Sequence, residues 1–372
     1  MKILQVMTEL GFGGAERVVL DLCRSLISEG HTINLAVMKS LPAQNMRDEF
    51  VKLGIYPDII GIDSLKDFRK IKKLKKLIRE YKPEVIHSHL MHPNLICRAA
   101  NFRSGIPLVN TVHISERRKG QQLYFFLDSL THGLCDCYTA VSDASARFHE
   151  KAIHLEQGSI RTIRNGVDPV EHLPQDVLQE AKNRWQVSMC SKILGAVGRL
   201  DPQKGFDRLI RLLPALGKLV PDGETWGIVI LGEGKSREEL ESQLELSPYH
   251  RLVVRLPGFE KNAASLADAF DAFVMPSRYE GYGLVFAESL SLGLPCVYQP
   301  VDSLPELAAG ISNVFPARFD KPEEDSATAE KIAAALRMPR SEPEILFTVR
   351  EMAVQYTELY RELLDKKGRK HV

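Results

Sequence analysis

Short apolar runs alternate with amphipathic stretches along nearly the whole chain, and this alternation restricts the choice of fold more than any other feature. In the first half the strand-like runs are Ile3–Met7, Ile33–Met38, Asp58–Ile62, Val85–His87, Leu108–Val112, Tyr138–Val141 and Ile160–Ile163. Helical periodicity fills the gaps, at Ala15–Glu29, Leu65–Tyr81 and Pro93–Phe102. Such a strand–helix–strand order predicts a parallel sheet with helices on both faces, because parallel strands need a crossover and short apolar runs suit strands buried on both sides.

The rhythm breaks at Asn165-Gly166-Val167-Asp168-Pro169, which is turn chemistry, and a polar stretch follows to Ser191. It restarts at Ile193–Val197 and continues through Gly227–Leu231, Leu252–Arg255, Ala272–Met275 and Cys296–Tyr298. A chain of 372 residues is long for one core and comfortable for two. The reading is therefore two α/β domains in series, residues 1–168 and 169–342, with Pro343–Asp365 as a long amphipathic helix. Doubly wound sheets bind ligands beyond the carboxyl ends of their strands, so the chemistry is expected in the loops that follow those runs.

Charge supports a division of labour. Residues 1–165 carry 24 Lys+Arg against 17 Asp+Glu, a net +7, and the remainder carries a net −6. A basic first half suggests an anionic partner for that half. The six cysteines form no paired framework, and Cys135-x-Cys137 without a second ligand pair reads as thiols rather than a zinc site. The opening MKILQVMTEL lacks the apolar core of a signal peptide, and no apolar run reaches the ~18 residues that a spanning helix needs. The expectation is a cytoplasmic protein, attached peripherally to the inner face of the cell membrane.

Three loops carry chemistry. Gly11-Phe12-Gly13-Gly14-Ala15-Glu16-Arg17 follows the first strand and opens a helix, where glycines admit a close ligand and free N–H groups attract an anion. A dinucleotide fingerprint fits poorly, because the spacing is not G-x-G-x-x-G and Val37-Met38-Lys39-Ser40 supplies no acid for a ribose. Without a ligand, the same loop is simply a tight strand-to-helix turn. Gly198-Arg199-Leu200-Asp201-Pro202-Gln203-Lys204-Gly205 places a guanidinium and an ammonium five residues apart, suited to gripping a diphosphate. Taken alone it is an exposed basic loop. Glu280-Gly281-Tyr282-Gly283-Leu284-Val285-Phe286-Ala287-Glu288 puts one acid in a glycine-rich loop and another eight positions later on the helix it opens. Acids so placed suit sugar and ribose hydroxyls.

The set Gly13–Arg17, Asn165–Asp168, Gly198–Gly205 and Glu280–Glu288, in this order and spacing, resembles family 4 of the retaining glycosyltransferases, whose signature E-x7-E matches the last motif. The resemblance implies a GT-B fold: two Rossmann-like domains facing across a cleft, an N-terminal acceptor domain, a C-terminal nucleotide-sugar domain, and a final helix (343–372) crossing back to the first. It implies roles as well. Gly13 and Gly14 approach the donor phosphate and the acceptor. His113 reaches the transferred sugar. Arg199 and Lys204 neutralise the leaving diphosphate. Glu280, Gly281 and the amides of Tyr282, Gly283, Leu284 and Val285 hold the sugar and distal phosphate, and Glu288 takes the ribose. Two departures stand out: Tyr282 replaces a frequent Phe, and Asp302-Ser303-Leu304-Pro305-Glu306 lacks the glycines usual before Pro-Glu.

The expected reaction is retaining transfer of a hexose or N-acetylhexosamine, from a UDP-linked donor, to a glycan or lipid-linked acceptor of surface-polysaccharide assembly. A sugar-nucleotide epimerase of the same fold, which shares the diphosphate site, is the alternative enzyme; a non-catalytic sugar-nucleotide-binding protein is the alternative binder, disfavoured by the joint presence of Arg199, Lys204, Glu280 and Glu288. No cofactor, metal or nucleic acid is expected, for no Asp-x-Asp occurs and His87-Ser88-His89 with His92 makes no compact ligand set. The membrane is expected to meet the cationic flank of Leu65–Arg79, above all Lys70, Lys73 and Lys76, with Arg117, Arg118 and Lys119 as a second contact.

Overall fold

The computed structural model describes residues 1–43, 45–63, 65–113, 120–247 and 249–368. The chain forms two compact units, one made of Met1–Gly166 with Phe347–Val372 and the other of Val167–Leu346.

The first unit contains β1 (Lys2–Met7), β2 (Thr32–Val37), β3 (Asp58–Ile59), β4 (Val85–His89), β5 (Leu108–Val112), β6 (Cys137–Ala140) and β7 (Arg161–Thr162). They form one parallel sheet in the order β3-β2-β1-β4-β5-β6-β7. Alternation along β1 feeds two cores. Leu4 and Val6 join Ile71, Leu74, Ile78 and Cys97, while Met7 joins Val19, Leu20, Cys23 and Phe50. Strand order reverses between β1 and β4, the switch point where such sheets bind ligands.

The sequence pattern overextends some elements. Asp58–Ile62 and Ile160–Ile163 keep only two paired residues each, Asp58–Ile59 and Arg161–Thr162. Leu65–Tyr81 is a 3-10 segment, Leu65–Lys70, followed by an α-helix, Ile71–Tyr81. The final helix runs Val349–Gly368, later than its apolar pattern suggests, because Ile345 and Leu346 stay exposed. Its start is fixed by a capping box: Thr348 Oγ1 accepts from the Glu351 amide at 3.2 Å, and Glu351 accepts from the Thr348 amide at 2.7 Å. This helix packs on Gly14–Ser28 within the same unit. Its Tyr360 hydroxyl lies 2.6 Å from His87 Nδ1. A Cβ at Gly166 would lie 2.4 Å from the Thr348 carbonyl, so the Asn-Gly-Val-Asp motif serves a close backbone passage.

The second unit contains β8 (Lys192–Val197), β9 (Trp226–Leu231), β10 (Leu252–Gly258), β11 (Ala272–Met275), β12 (Cys296–Tyr298) and β13 (Val314–Pro316). These form a parallel sheet in the order β10-β9-β8-β11-β12-β13, with its switch point between β8 and β11. The sequence reading omits β13 and the helix Asp325–Arg337, whose Ile332, Ala333 and Leu336 complete the core around Ile228, Ile230 and Val274.

Candidate active site

In the second unit two loops meet at the carboxyl ends of β8 and β11. After β8, Asp201 caps a 3-10 turn, Pro202–Lys204, its Oδ1 accepting from the Gln203 amide at 3.1 Å. Gly205 then turns with φ +69°, and a Cβ there would lie 2.2 Å from the Pro276 carbonyl oxygen. The loops are thus pressed together, and they are also hydrogen-bonded. The Arg278 amide donates to the Gln203 carbonyl at 2.7 Å, and Gln203 Nε2 donates to the Tyr279 carbonyl at 3.1 Å. The Arg278 guanidinium grips Asp207 in a fork, at 2.7 and 2.6 Å. Burial alone would raise the Asp207 carboxyl, but the Arg278 fork holds it below the ordinary carboxylate range.

This frame unites Lys204 and Glu280. The Lys204 stem lies along Gly198, where a Cβ would come within 3.3 Å of it. Its Nζ sits 2.6 Å from Glu280 Oε1, with the side chains only 17% and 6% exposed. Ser277 Oγ donates to the same oxygen at 2.7 Å. Gross attraction in such a largely buried pair is about 4 kcal/mol and desolvation offsets much of it; the ammonium is held by its geometry, with its stem along Gly198 and its head on Glu280. Glu280 Oε2 makes no hydrogen bond among the described residues. Arg199 is exposed on the same loop, and its side chain likewise makes none among the described residues.

The backbone of the acidic loop is held from the side. The Glu280 amide donates to Asp302 Oδ2 at 2.9 Å, and Ser303 Oγ donates to the Tyr282 carbonyl at 2.8 Å. The Asp302-Ser303 pair thus replaces the missing glycines with side-chain supports. Gly283 (φ +92°) opens the helix Leu284–Ser291, which has neither a side-chain cap nor an acid in its first turn. Its leading amides, at Leu284 and Val285, therefore present the positive end of the helix, with no carboxylate in the helix's own first turn. Glu288 lies in the second turn, half-buried. The sequence reading gives no role to Ser277, Gly232 or Gly234, and names Asp302 and Ser303 only as a departure from the family pattern. The two glycines are visible as Leu231-Gly232-Glu233-Gly234 after β9; a Cβ at Gly232 would fall 1.9 Å from the Gly198 carbonyl oxygen, so they support the Arg199 loop.

In the first unit the Gly13-Gly14 turn opens the helix Gly14–Ser28, but a carboxylate already covers it. A Cβ at Gly13 would lie 2.3 Å from Glu16 Oε2, and Glu16 is buried. That acid is the third residue of the helix, in the first turn, where the helix dipole favours a carboxylate. The close packing of Glu16 thus accounts for glycine at 13.

His113 follows β5, and its Nε2 lies 2.9 Å from His89 Nδ1. His89 Nε2 in turn lies 2.7 Å from Gln5 Oε1. Burial lowers the His113 imidazole to about 4 and, with its imidazole neighbours, His89 well below the ordinary value. Both nitrogens of His87 are engaged, by Tyr360 and by Thr111 at 2.6 Å. Among the described residues, no three or more His, Cys, Asp or Glu side chains are grouped to hold a metal ion.

Of the expected membrane contacts, Lys70 is partly exposed and already engaged: its Nζ donates to the Gly61 carbonyl at 2.6 Å and pairs with Asp67 at 3.0 Å. Lys73 and Lys76 are exposed on the helix Ile71–Tyr81, with Lys76 3.6 Å from Glu80. Arg117, Arg118 and Lys119 lie outside the described residues. No helix among the described residues is long and apolar enough to cross a membrane.

Comparison with known proteins agrees with this architecture. Residues 12–171 match the model of Glycosyltransferase Family 4, and residues 191–337 match that of Glycosyl transferases group 1. An Escherichia coli UDP-Gal:alpha-D-GlcNAc-diphosphoundecaprenol alpha-1,3-galactosyltransferase is 26% identical over 313 residues, covering 81% of this chain and 80% of its own. A Campylobacter jejuni alpha-1,4-N-acetyl-D-galactosaminyltransferase, named for a diphosphoundecaprenol-linked acceptor, is 23% identical over 78% of this chain and 77% of its own. Among solved structures, Anabaena HepE in complex with UDP-glucose superposes with a TM-score of 0.75 at 20% identity, covering 97% of this chain and all of that one. With two parallel-sheet units, a paired Lys204–Glu280 and both family matches in order, the chain belongs to glycosyltransferase family 4 and has the GT-B fold.

Proposed function

We propose that this glycosyltransferase moves a hexose or N-acetylhexosamine from a UDP-sugar to a lipid-linked glycan, with retention at the anomeric carbon, in surface-polysaccharide or glycolipid assembly. The observation that carries the reading is the Lys204–Glu280 pair, 2.6 Å apart at the end of the second unit's sheet. As the bond from the anomeric carbon to the diphosphate lengthens, negative charge gathers on phosphate. Lys204, Arg199 and the uncapped helix start at Leu284 supply fixed positive charge there, in place of a metal. Glu280 holds sugar hydroxyls through Oε2, and Glu288 the ribose diol. Glu280 is tied to Lys204 and Ser277, which suits it to holding rather than attacking. Retention then follows from attack on the face that the diphosphate leaves: the acceptor oxygen bonds to the anomeric carbon, and its proton passes to the departing phosphate oxygen. The Escherichia coli relative, named for a UDP-Gal donor, and the diphosphoundecaprenol acceptors named for both relatives favour this donor and acceptor class. A thermal-shift panel of UDP-, GDP- and ADP-sugars tests the donor. A UDP-hexose or UDP-N-acetylhexosamine should raise Tm most, and a larger shift with GDP-sugars would overturn the choice of base.

A lipid-linked acceptor also calls for a membrane surface, and the first unit is suited to one on the inner face of the cell membrane. The helix Ile71–Tyr81 buries Ile71, Leu74 and Ile78 and exposes Lys72, Lys73, Lys75, Lys76 and Arg79. Each such cation is worth about 1 kcal/mol near an anionic bilayer. The helix Gln122–Thr131 exposes Leu123, Phe126 and Leu130, and both helices flank Met91–Asn101 in one layer. An apolar ridge beside a cationic one matches a bilayer interface better than bulk water.

A further inference from the structure

The second unit has a cavity of about 270 Å³ at the end of its sheet opposite the Lys204–Glu280 pair. Lys192 begins β8 and Asp271 precedes β11, so both stand at the amino ends of their strands, whereas Lys204 and Glu280 follow the carboxyl ends. The six residues of β8 put about 20 Å between those two ends. One wall of the cavity is the helix Gln175–Arg184, which turns Leu178 and Lys182 toward it, four positions apart on one face. The segment after the helix Asp325–Arg337 brings Arg340 to another wall. Leu178 and Phe270 are buried and give the cavity apolar surface.

Its hydrogen-bonding capacity is lopsided. Asp271 Oδ1 accepts from Lys192 at 3.1 Å and Oδ2 from the Ile193 amide at 2.7 Å. Asp268 Oδ1 accepts from the Arg340 guanidinium and Oδ2 from the Leu173 amide at 3.1 Å, while His172 Nδ1 lies 3.2 Å from both. Every carboxylate oxygen of the cavity is thus occupied. Donors remain. An ammonium has three N–H bonds and accepts none. Lys192 spends one on Asp271, and Lys182, half-buried, has neither a hydrogen bond nor an ion pair among the described residues. Lys182, Lys192 and Arg340 against Asp268 and Asp271 leave one positive charge in excess. An occupant must therefore bring acceptors and negative charge. The volume, about 270 Å³, lies below the ~300 Å³ at which drug-sized ligand sites begin, which suits a phosphate bearing one sugar ring and excludes a whole sugar nucleotide.

We propose that this cavity is a second anion site, which takes the phosphate of a hexose phosphate on Lys182, Lys192 and Arg340 and lays the sugar ring on Leu178 and Phe270. A phosphate monoester carries nearly two negative charges at pH 7 and three strong acceptor oxygens, so it meets the spare donors without displacing either carboxylate. Bound there, it ties the helix Gln175–Arg184 to the Arg340 segment within the second unit and stabilises the folded chain.

Calorimetry and thermal shift of the full chain test it, with galactose 1-phosphate, glucose 6-phosphate, inorganic phosphate and galactose, each with and without excess UDP. A hexose phosphate should bind equally well in both conditions and more tightly than inorganic phosphate, and galactose should not bind. Lys182→Glu should weaken hexose phosphate by about 10-fold or more, the scale of one hydrogen bond to a charged group, and leave UDP affinity unchanged. Lys182→Arg, which keeps the charge, should retain most of the binding, and Lys192→Gln should lose part of it. Absence of both heat and Tm shift with either hexose phosphate, competition by UDP, or full affinity in Lys182→Glu overturns the site. Inorganic phosphate binding as tightly as the hexose phosphates overturns the sugar contact, and equal binding of galactose overturns the anion.

Discussion

At Glu280 three groups converge on one residue: Lys204 and Ser277 on Oε1, and Asp302 on the amide. Lys204 and Glu280 were legible as residues because their motifs have fixed spacing in the chain. Ser277, Asp302 and Ser303 were not, since a small polar residue acquires meaning only from distances that sequence does not contain. Gly13 was legible as a glycine with a purpose, and the structure adds that a Cβ there would meet Glu16, three positions on. Glu288 offers a clean test at this scale. Glu288→Gln exchanges an ionised acceptor for a neutral one and should weaken UDP binding by roughly 3- to 10-fold, in line with the greater strength of charge-assisted hydrogen bonds. Calorimetry showing unchanged affinity would make the acid a structural residue.

Two elements carry their own predictions. Gly205 combines φ +69° with a Pro276 carbonyl 2.2 Å from any added Cβ, whereas Gly223 has φ +80° in open space. Gly223→Ala should cost about 1–2 kcal/mol, the left-handed strain alone. Gly205→Ala should cost more than that and also weaken UDP binding, because it pries apart the loops holding Lys204 and Glu280. Urea unfolding of both variants checks this, and equal costs would contradict the packing account. The helix Ile71–Tyr81 carries the membrane prediction. Wild type should co-sediment with phosphatidylglycerol vesicles at low salt and less at high salt, and Lys72, Lys73, Lys75 and Lys76 changed together to Glu should abolish it. Equal binding to neutral vesicles would contradict an electrostatic surface. Sequence periodicity located this helix through its buried stripe. It could not show that Lys70 is engaged by the Gly61 carbonyl, because that partner lies nine residues back and meets Lys70 only through the fold. It also missed the Thr348-x-x-Glu351 box, a local signal overshadowed by the apolar residues just before it.

Across the whole molecule, alternation predicted both parallel sheets because strands buried on two faces must be apolar throughout. The packing of His87, His89 and His113 lay beyond it, for His87 and His89 read as a strand-end loop and His113 took its role from resemblance alone, whereas the structure buries all three side by side at the ends of β4 and β5. They make stability depend on pH. Burial lowers all three imidazoles in the folded chain, His113 to about 4, while the unfolded chain titrates near 6.5. Below that pH the unfolded state binds more protons, so their contribution is complete above about 6.5 and is lost progressively as pH falls toward the folded values. Each histidine should remove up to about 1.4 kcal/mol per pH unit in that window. Urea midpoints should therefore hold between pH 7 and 8 and drop steadily from 6.5 to 5; a flat profile would contradict the neutral, buried assignment.

The central claim is that fixed side-chain charge at Lys204, paired with Glu280, drives departure of the diphosphate, and the most direct measurement is kcat for sugar transfer by Lys204→Ala. With UDP-galactose or the UDP-sugar that the panel selects, a diphosphoundecaprenol-linked acceptor and excess chelator, wild type should turn over. The folded variant should lose about 10²-fold or more in kcat, the scale of removing one preorganised transition-state donor. Near-wild-type turnover by Lys204→Ala, or a strict requirement for added divalent metal in the wild type, would contradict the account.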